Sequence, residues 1–204
     1  MAKSNAFTRK GWIEVICGPM FAGKSEELLR KINRLKYAEV DYLVFKPTVD
    51  TRSKKSVESR DGRKLAAIEV ATSMDIIKQI NKAKPIPQVI AIDEIQFFDD
   101  DLPKVCNFLA DNGINIYAAG LDTDFRGVPF KNTASLLATA ENVVKLTAIC
   151  TECGAPATRT QKLINGKPAS YNSPRIVVGN IETYTARCRK HHVVKDKPDF
   201  SFKD

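Results

Sequence analysis

Residues Gly18 to Ser25 read G-P-M-F-A-G-K-S and fit the pattern G-x-x-x-x-G-K-[ST] without a gap. Such a run does its work only between a strand and a helix, so it constrains the fold more than any other feature of the chain. Gly18 and Gly23 let the backbone curl so that its N–H groups point inward at phosphate oxygens. Lys24 supplies a point charge for β/γ-phosphates, and Ser25 offers a hydroxyl to Mg²⁺. The whole turn (Gly18, Pro19, Met20, Phe21, Ala22, Gly23, Lys24 and Ser25) is the expected contact for the phosphates of ATP. Its flanks agree. W-I-E-V-I-C ends at Cys17 and reads as a buried strand, while Glu26 to Ala38 is rich in helix formers. Leu28, Ile32 and Leu35 share one face of that helix. Glu26 precedes Arg30, and Glu27 precedes Lys31, by four positions, the helix-stabilising order.

The rest of the first 148 residues alternates strand and helix. Asp41 to Lys46 is a short apolar run. Thr48 to Lys64 is polar and reads as a mobile loop. Leu65 to Val70 reads as a strand, and Met74, Ile77 and Ile80 mark a helical face. Gln88 to Asp93 (Q-V-I-A-I-D) is continuous apolar sequence with a terminal acid, as a strand buried on both faces requires, and Ile114 to Ala119 (I-N-I-Y-A-A) is another strand of the buried type. Leu102, Val105, Cys106 and Leu109 define another amphipathic helix, stopped by D-N-G at Asp111 to Gly113. Asn132 to Glu141 reads as helix and V-V-K-L-T-A as strand. Alternation of this kind specifies an α/β domain, a mainly parallel sheet flanked by helices as in P-loop NTPases. Cys17 and Cys106 fall on its core faces.

Composition changes near Cys150. The chain becomes turn-rich, with Asn165-Gly166 between β-like flanks, a type I′ hairpin signal. A module this small needs a staple. Cys150-Thr-Glu-Cys153 and Cys188-Arg-Lys-His191 supply one: two knuckles that make a closed Cys₃His site for structural Zn²⁺. His192 is adjacent and competes with His191 for the fourth position. The expected division is 11–148 for the nucleotide-binding domain, 149–192 for the zinc module, and 193–204 for a frayed tail.

The chain has 204 residues, 43% hydrophobic and 27% charged, with five cysteines and a net charge of +8. That is the balance of a soluble globular protein. No apolar run approaches the roughly 20 residues of a membrane span, and the polar N-terminus lacks a signal-peptide core. The expectation is a cytoplasmic protein with no membrane partner and with thiols or metal rather than disulfides. The basic balance suits anionic partners, nucleotides or nucleic acid alike.

Asp93 ends its apolar strand where a P-loop enzyme places the acid that holds the Mg²⁺ shell beside Ser25. Glu94 follows and faces the other way. A carboxylate there accepts a proton either from a substrate hydroxyl, as in a kinase, or from water, as in an ATPase. The residues alone leave both open.

Taken together, the motifs resemble those of the zinc-containing type II thymidine kinases, the cytosolic class. The likeness runs from about Gly11 to His191. It rests on G-P-M-F-A-G-K-S, D-T-R at Asp50 to Arg52, D-E-I-Q-F-F at Asp93 to Phe98, L-D-T-D-F at Leu121 to Phe125, and K-L-T-A-I-C-T-E-C at Lys145 to Cys153. The resemblance implies transfer of the ATP γ-phosphoryl group to the 5′-hydroxyl of thymidine, and of deoxyuridine. Glu94 matches the family's general base. Asp50, Thr51 and Arg52, and Asp93, Glu94, Ile95 and Gln96, match nucleotide-contacting segments. Met20, Phe97, Leu121 and Phe125 match residues around thymine, with Phe125 as stacking partner. A lasso loop carried on the zinc module would include Thr160, Arg175, Ile176, Val177, Val178 and Gly179, with Tyr184 near its return. The same resemblance implies a homotetramer with dTTP as feedback inhibitor, and no nucleic-acid partner. The chain departs from the family at Ile95, often a small residue, and at His191, often a cysteine.

Overall fold

The computed structural model describes residues 11–49, 56–58, 64–175 and 182–198. In chain order the first part runs β1 (Ile13–Gly18), α1 (Lys24–Tyr37), β2 (Tyr42–Pro47), β3 (Ser56–Glu58), β4 (Lys64–Ala66), β5 (Ile68–Val70), α2 (Ser73–Lys82), β6 (Val89–Ile92), α3 (Leu102–Asp111), β7 (Asn115–Leu121), α4 (Lys131–Thr139) and β8 (Asn142–Lys145). The main sheet has the order β5-β2-β6-β7-β1-β8, and every pairing in it is parallel. The C-terminal ends of all its strands therefore lie along one edge, where open α/β sheets bind their ligands.

Residue alternation along β1 shows why the sheet is covered on both faces. Ile13, Val15 and Cys17 pack with Ile76 and Ile80 of α2, Leu102, Val105, Cys106 and Leu109 of α3, and Leu136 of α4. Ile16 points the other way, into a second cluster with Leu28, Leu29 and Ile32 of α1. Burial of Cys106 pushes its thiol up to about 12, leaving it a core residue without reactivity. Cys17 is likewise raised, chiefly by burial and then by Asp122.

Local differences from the sequence reading have local causes. On α1, Arg30 pairs with Glu27 at 2.6 Å rather than with Glu26. Lys31 does reach Glu27, at 3.4 Å, but lies closer to Glu14 of β1, at 2.6 Å. On α2, Met74 is exposed and Ile76 takes its place in the core. A capping box between Thr72 and Asp75 sets the helix start, and Ser73 is drawn inward by Asp99, which accepts from its amide at 2.9 Å and its hydroxyl at 2.7 Å. Within the expected loop at 48–64, Ser56–Glu58 pairs antiparallel with β4, because Val57 finds burial in the α1 cluster. The expected strand 65–70 is accordingly split, β4 joining β3 and β5 joining β2.

The C-terminal part is antiparallel. β9 (Ala148–Ile149) pairs with β10 (Pro156–Ala157), and β11 (Arg159–Ile164) lies between β12 (Lys167–Pro168) and β13 (Glu182–Arg187). Asn165 and Gly166 both have positive φ, 50° and 73°, as a two-residue type I′ turn requires. The expected tail is attached as far as Lys195: Val193 exchanges hydrogen bonds with the Gln161 side chain, and Lys195 bonds to Ala169 and Tyr171. Residues 199–204 lie outside the described residues. No helix among the described residues is long and apolar enough to cross a membrane.

Candidate active site

Three strand ends meet at the C-terminal edge of the sheet. β1 lies beside β7 with Gly18 level with Leu121, and β6, the other neighbour of β7, leads directly into Asp93 and Glu94. The turn after β1 closes onto α1 through Gly23, whose φ of 79° is left-handed and suits glycine. Lys24 Nζ donates to the Pro19 carbonyl at 2.7 Å. Ser25 Oγ donates to Asp93 Oδ2 at 3.3 Å. A hydroxyl and a carboxylate oxygen side by side are the hard donors that Mg²⁺ takes beside a bound triphosphate.

Glu94 stands at φ 53° and ψ 43°, the left-handed region, with a 3₁₀ turn of Ile95–Phe97 following it. A non-glycine residue there is uncommon and is held by its surroundings. Its amide donates to Asp93 Oδ1 at 2.9 Å. Its carboxylate accepts a short hydrogen bond from Gln96 Nε2, while Gln96 Oε1 accepts from the Leu121 amide at 3.0 Å. Gln96 thus ties the Glu94 carboxylate to the end of β7. Gly120 makes room for this: a Cβ there would lie 2.5 Å from both Gln96 Oε1 and Ile95 Cγ1. Behind the turn, the buried Asn132 donates to the carbonyls of Phe98 and Asp99 at 2.8 and 3.0 Å.

The segment after β7 is organised by Asp124, which the sequence reading passed over in favour of its neighbours Leu121 and Phe125. Its buried carboxylate accepts from the amides of Arg126 and Val128 at 2.9 and 3.1 Å. It also accepts from Arg126 Nε and Nη2 at 2.9 and 2.6 Å and from Arg175 Nε at 2.9 Å. A signal was present: a second acid in L-D-T-D-F at the end of an apolar strand. Phe125 is buried, with Lys162 Nζ 5.1 Å from its ring centroid. Lys162, itself fully buried, donates to the Pro174 carbonyl at 2.8 Å. Arg175 lies 5.5 Å from the Phe130 ring.

Of the other residues expected near the base, Met20 is half-buried, and its amide donates to Thr160 Oγ1 at 3.0 Å. Phe97 is half-buried on the 3₁₀ turn, and Tyr184 faces Lys162 across β13 and β11. Asp50, Thr51, Arg52, Ile176, Val177, Val178 and Gly179 lie outside the described residues.

Cys150, Cys153, Cys188 and His191 bring four ligand atoms within 4.8 Å of one another. Cys188 Sγ and Cys150 Sγ lie 3.4 and 3.7 Å from His191 Nδ1, and the Cys153 and Cys188 sulfurs are 3.8 Å apart. A tetrahedral ion with metal–sulfur bonds of about 2.3 Å puts its ligands about that far apart. Desolvation opposes ionisation of Cys150, but the backbone N–H groups of Cys188, Glu152 and Cys153 and the His191 side chain outweigh it and hold the thiol at about 5. His192 is not in the cluster. Its Nε2–H donates to the Phe125 carbonyl at 2.8 Å. Burial, with Arg159 and Lys197 nearby, keeps its imidazole below the ordinary value.

Comparison with known proteins places the chain in a family. The thymidine kinase family model matches residues 11–192. A thymidine kinase of Mycoplasmoides gallisepticum is 52% identical over 200 residues, covering 97% of this chain and 88% of that protein. Thymidine kinases of Ureaplasma parvum serovar 3 and Ureaplasma urealyticum serovar 10 are 50% and 49% identical, each match covering 97% of this chain and 90% of the relative. With the family model matching residues 11–192 and relatives about half identical over nearly its whole length, this chain belongs to the thymidine kinase family.

Proposed function

We propose that the protein transfers the γ-phosphoryl group of ATP to the 5′-hydroxyl of thymidine, and of deoxyuridine, giving the 5′-monophosphate. The observation that carries this reading is the meeting of Ser25 Oγ and Asp93 Oδ2 at 3.3 Å, one residue from a Glu94 carboxylate fixed by Gln96. Residues 18–25 bind the triphosphate through their N–H groups and Lys24. Ser25 and Asp93 would hold Mg²⁺, which when bound neutralises charge on the β- and γ-phosphates. Glu94 takes the proton of the attacking 5′-oxygen as that oxygen bonds to the γ-phosphorus and the bond to the bridging oxygen of ADP breaks. Met20, Phe97, Leu121, Phe125, Thr160, Arg175 and Tyr184 surround the nucleoside, with Phe125 stacking on thymine.

The Cys₃His cluster takes Zn²⁺ in a structural role, since three thiolates and an imidazole leave no open position. It anchors a module of residues 149–192 whose loop closes over the nucleoside and excludes water. The enzyme works in the cytoplasm as a homotetramer and is inhibited by dTTP. Incubation with γ-labelled ATP and thymidine tests the reading. Label should appear on thymidine, dependent on Mg²⁺. Label released only to water would refute it.

A further inference from the structure

Arg126, Gly127, Arg159, Arg189, His192 and Lys197 line a cleft of about 140 Å³ between the turn that follows Phe125 and the second metal-ligand knuckle. A single water needs only about 10–15 Å³ on the same measure, so a polyatomic group fits. Four of the six lining residues are permanently cationic and none is acidic. Asp124 offsets one of these charges, through Arg126. Among the described residues no carboxylate pairs with Arg159, Arg189 or Lys197. The His192 ring nitrogen that faces Phe125 is already committed to its carbonyl. Gathering these cations costs self-repulsion that an anion relieves, and the planar guanidinium fork matches phosphate oxygens in pairs.

The cleft is separate from the turn at 18–25. Thr160 bonds to Met20 of that turn. Successive strand residues face opposite ways, so Arg159 and Gln161 point to the other side of β11. Gln161 does so visibly, bonding to Val193 through both its amide atoms.

We propose that this cleft binds a phosphate-bearing anion, as a second phosphate site distinct from the ATP-binding turn. Its occupant would join Arg126, beside Phe125, to Arg189 on the metal-ligand knuckle. The site takes the phosphate group itself, whether free or esterified.

Calorimetric titration of the zinc-loaded protein with orthophosphate, tripolyphosphate and ribose 5-phosphate tests this, in a Lys24→Met background that weakens the ATP-binding turn. One site per chain should persist there, and added salt should weaken it. Binding by ribose 5-phosphate as well as orthophosphate marks an esterified source, and binding by the inorganic anions alone marks a free one. Arg159→Gln with Arg189→Gln should lower affinity about tenfold or more. The single variant Lys197→Gln, at an exposed position, should weaken it less and serves if the double variant loses zinc. Binding that disappears with Lys24→Met alone, is indifferent to the cleft arginines, or is absent throughout overturns the proposal. Continued thymidine phosphorylation by the arginine variant in a Lys24 background leaves the proposed function standing whichever way the cleft behaves.

Discussion

The Met20 amide donates to Thr160 Oγ1 at 3.0 Å, joining the glycine-flanked turn at 18–25 to β11 across 140 positions of sequence. The bond sets the antiparallel C-terminal sheet against the C-terminal edge of the parallel one. Thr160→Val keeps the shape and removes the acceptor, leaving a partly buried N–H without its partner. We expect a loss of about 1–3 kcal/mol in urea unfolding. Thr160→Ser keeps the hydroxyl and should lose less. Equal midpoints for the two variants would mean the bond contributes nothing.

Gly120 has no room for a methyl group beside Gln96 and Ile95. Gly120→Ala should push Gln96 away from Glu94, costing about 1–3 kcal/mol of stability and lowering kcat. Thermal unfolding and steady-state rates check both. An alanine enzyme with native kcat would show that Gln96 does not hold the base.

His192 gives a pH signature. Its imidazole is depressed below 6.5, chiefly by burial and then by Arg159 and Lys197. The unfolded chain therefore binds its proton more readily than the folded one. This contribution to stability is complete above pH 6.5 and is lost as pH falls through the folded value. His192→Gln retains a donor for the Phe125 carbonyl and should flatten that part of the profile. Denaturation midpoints from pH 5 to 7.5, read as the difference from wild type, separate this from acid release of metal at His191, common to both proteins.

Metal removal should act on one substrate more than the other. Chelation, or Cys153→Ala, is expected to abolish stoichiometric zinc and to raise the thymidine KM more than the ATP KM, since the Cys₃His cluster belongs to the part that bonds to the turn at 18–25 through Thr160. An equal rise for both would remove the reason to connect metal with nucleoside closure.

Much of this arrangement was legible in the sequence. Parallel strands buried on both faces read as unbroken apolar runs, so β6 and β7 stood out. The glycine-flanked turn at 18–25 stood out through spacing, as did Asn165-Gly166 and the clustering of Cys150, Cys153, Cys188 and His191. What could not be read depended on partners far away in sequence. Val57 looked like part of a polar loop because nothing local shows that α1 will cover it. Met74 and Ile76 are both apolar, and only the cap at Thr72 decides which faces in. His191 and His192 are adjacent, and the choice between them follows from the Phe125 carbonyl that engages His192. Asp124 shows in the sequence only as the second acid of L-D-T-D-F; that its carboxylate gathers five donors, one of them from Arg175 51 positions on, is set by the fold.

The most direct test is Glu94→Gln, which keeps size and removes the proposed base. Transfer of the labelled γ-phosphoryl group to thymidine should fall by about 10²–10⁴, while the dissociation constant for Mg·ATP, proposed to depend on residues 18–25 and Asp93, stays near that of the wild type. Turnover close to wild type would contradict the role of Glu94, and with it the convergence of acid and phosphate turn on the 5′-hydroxyl.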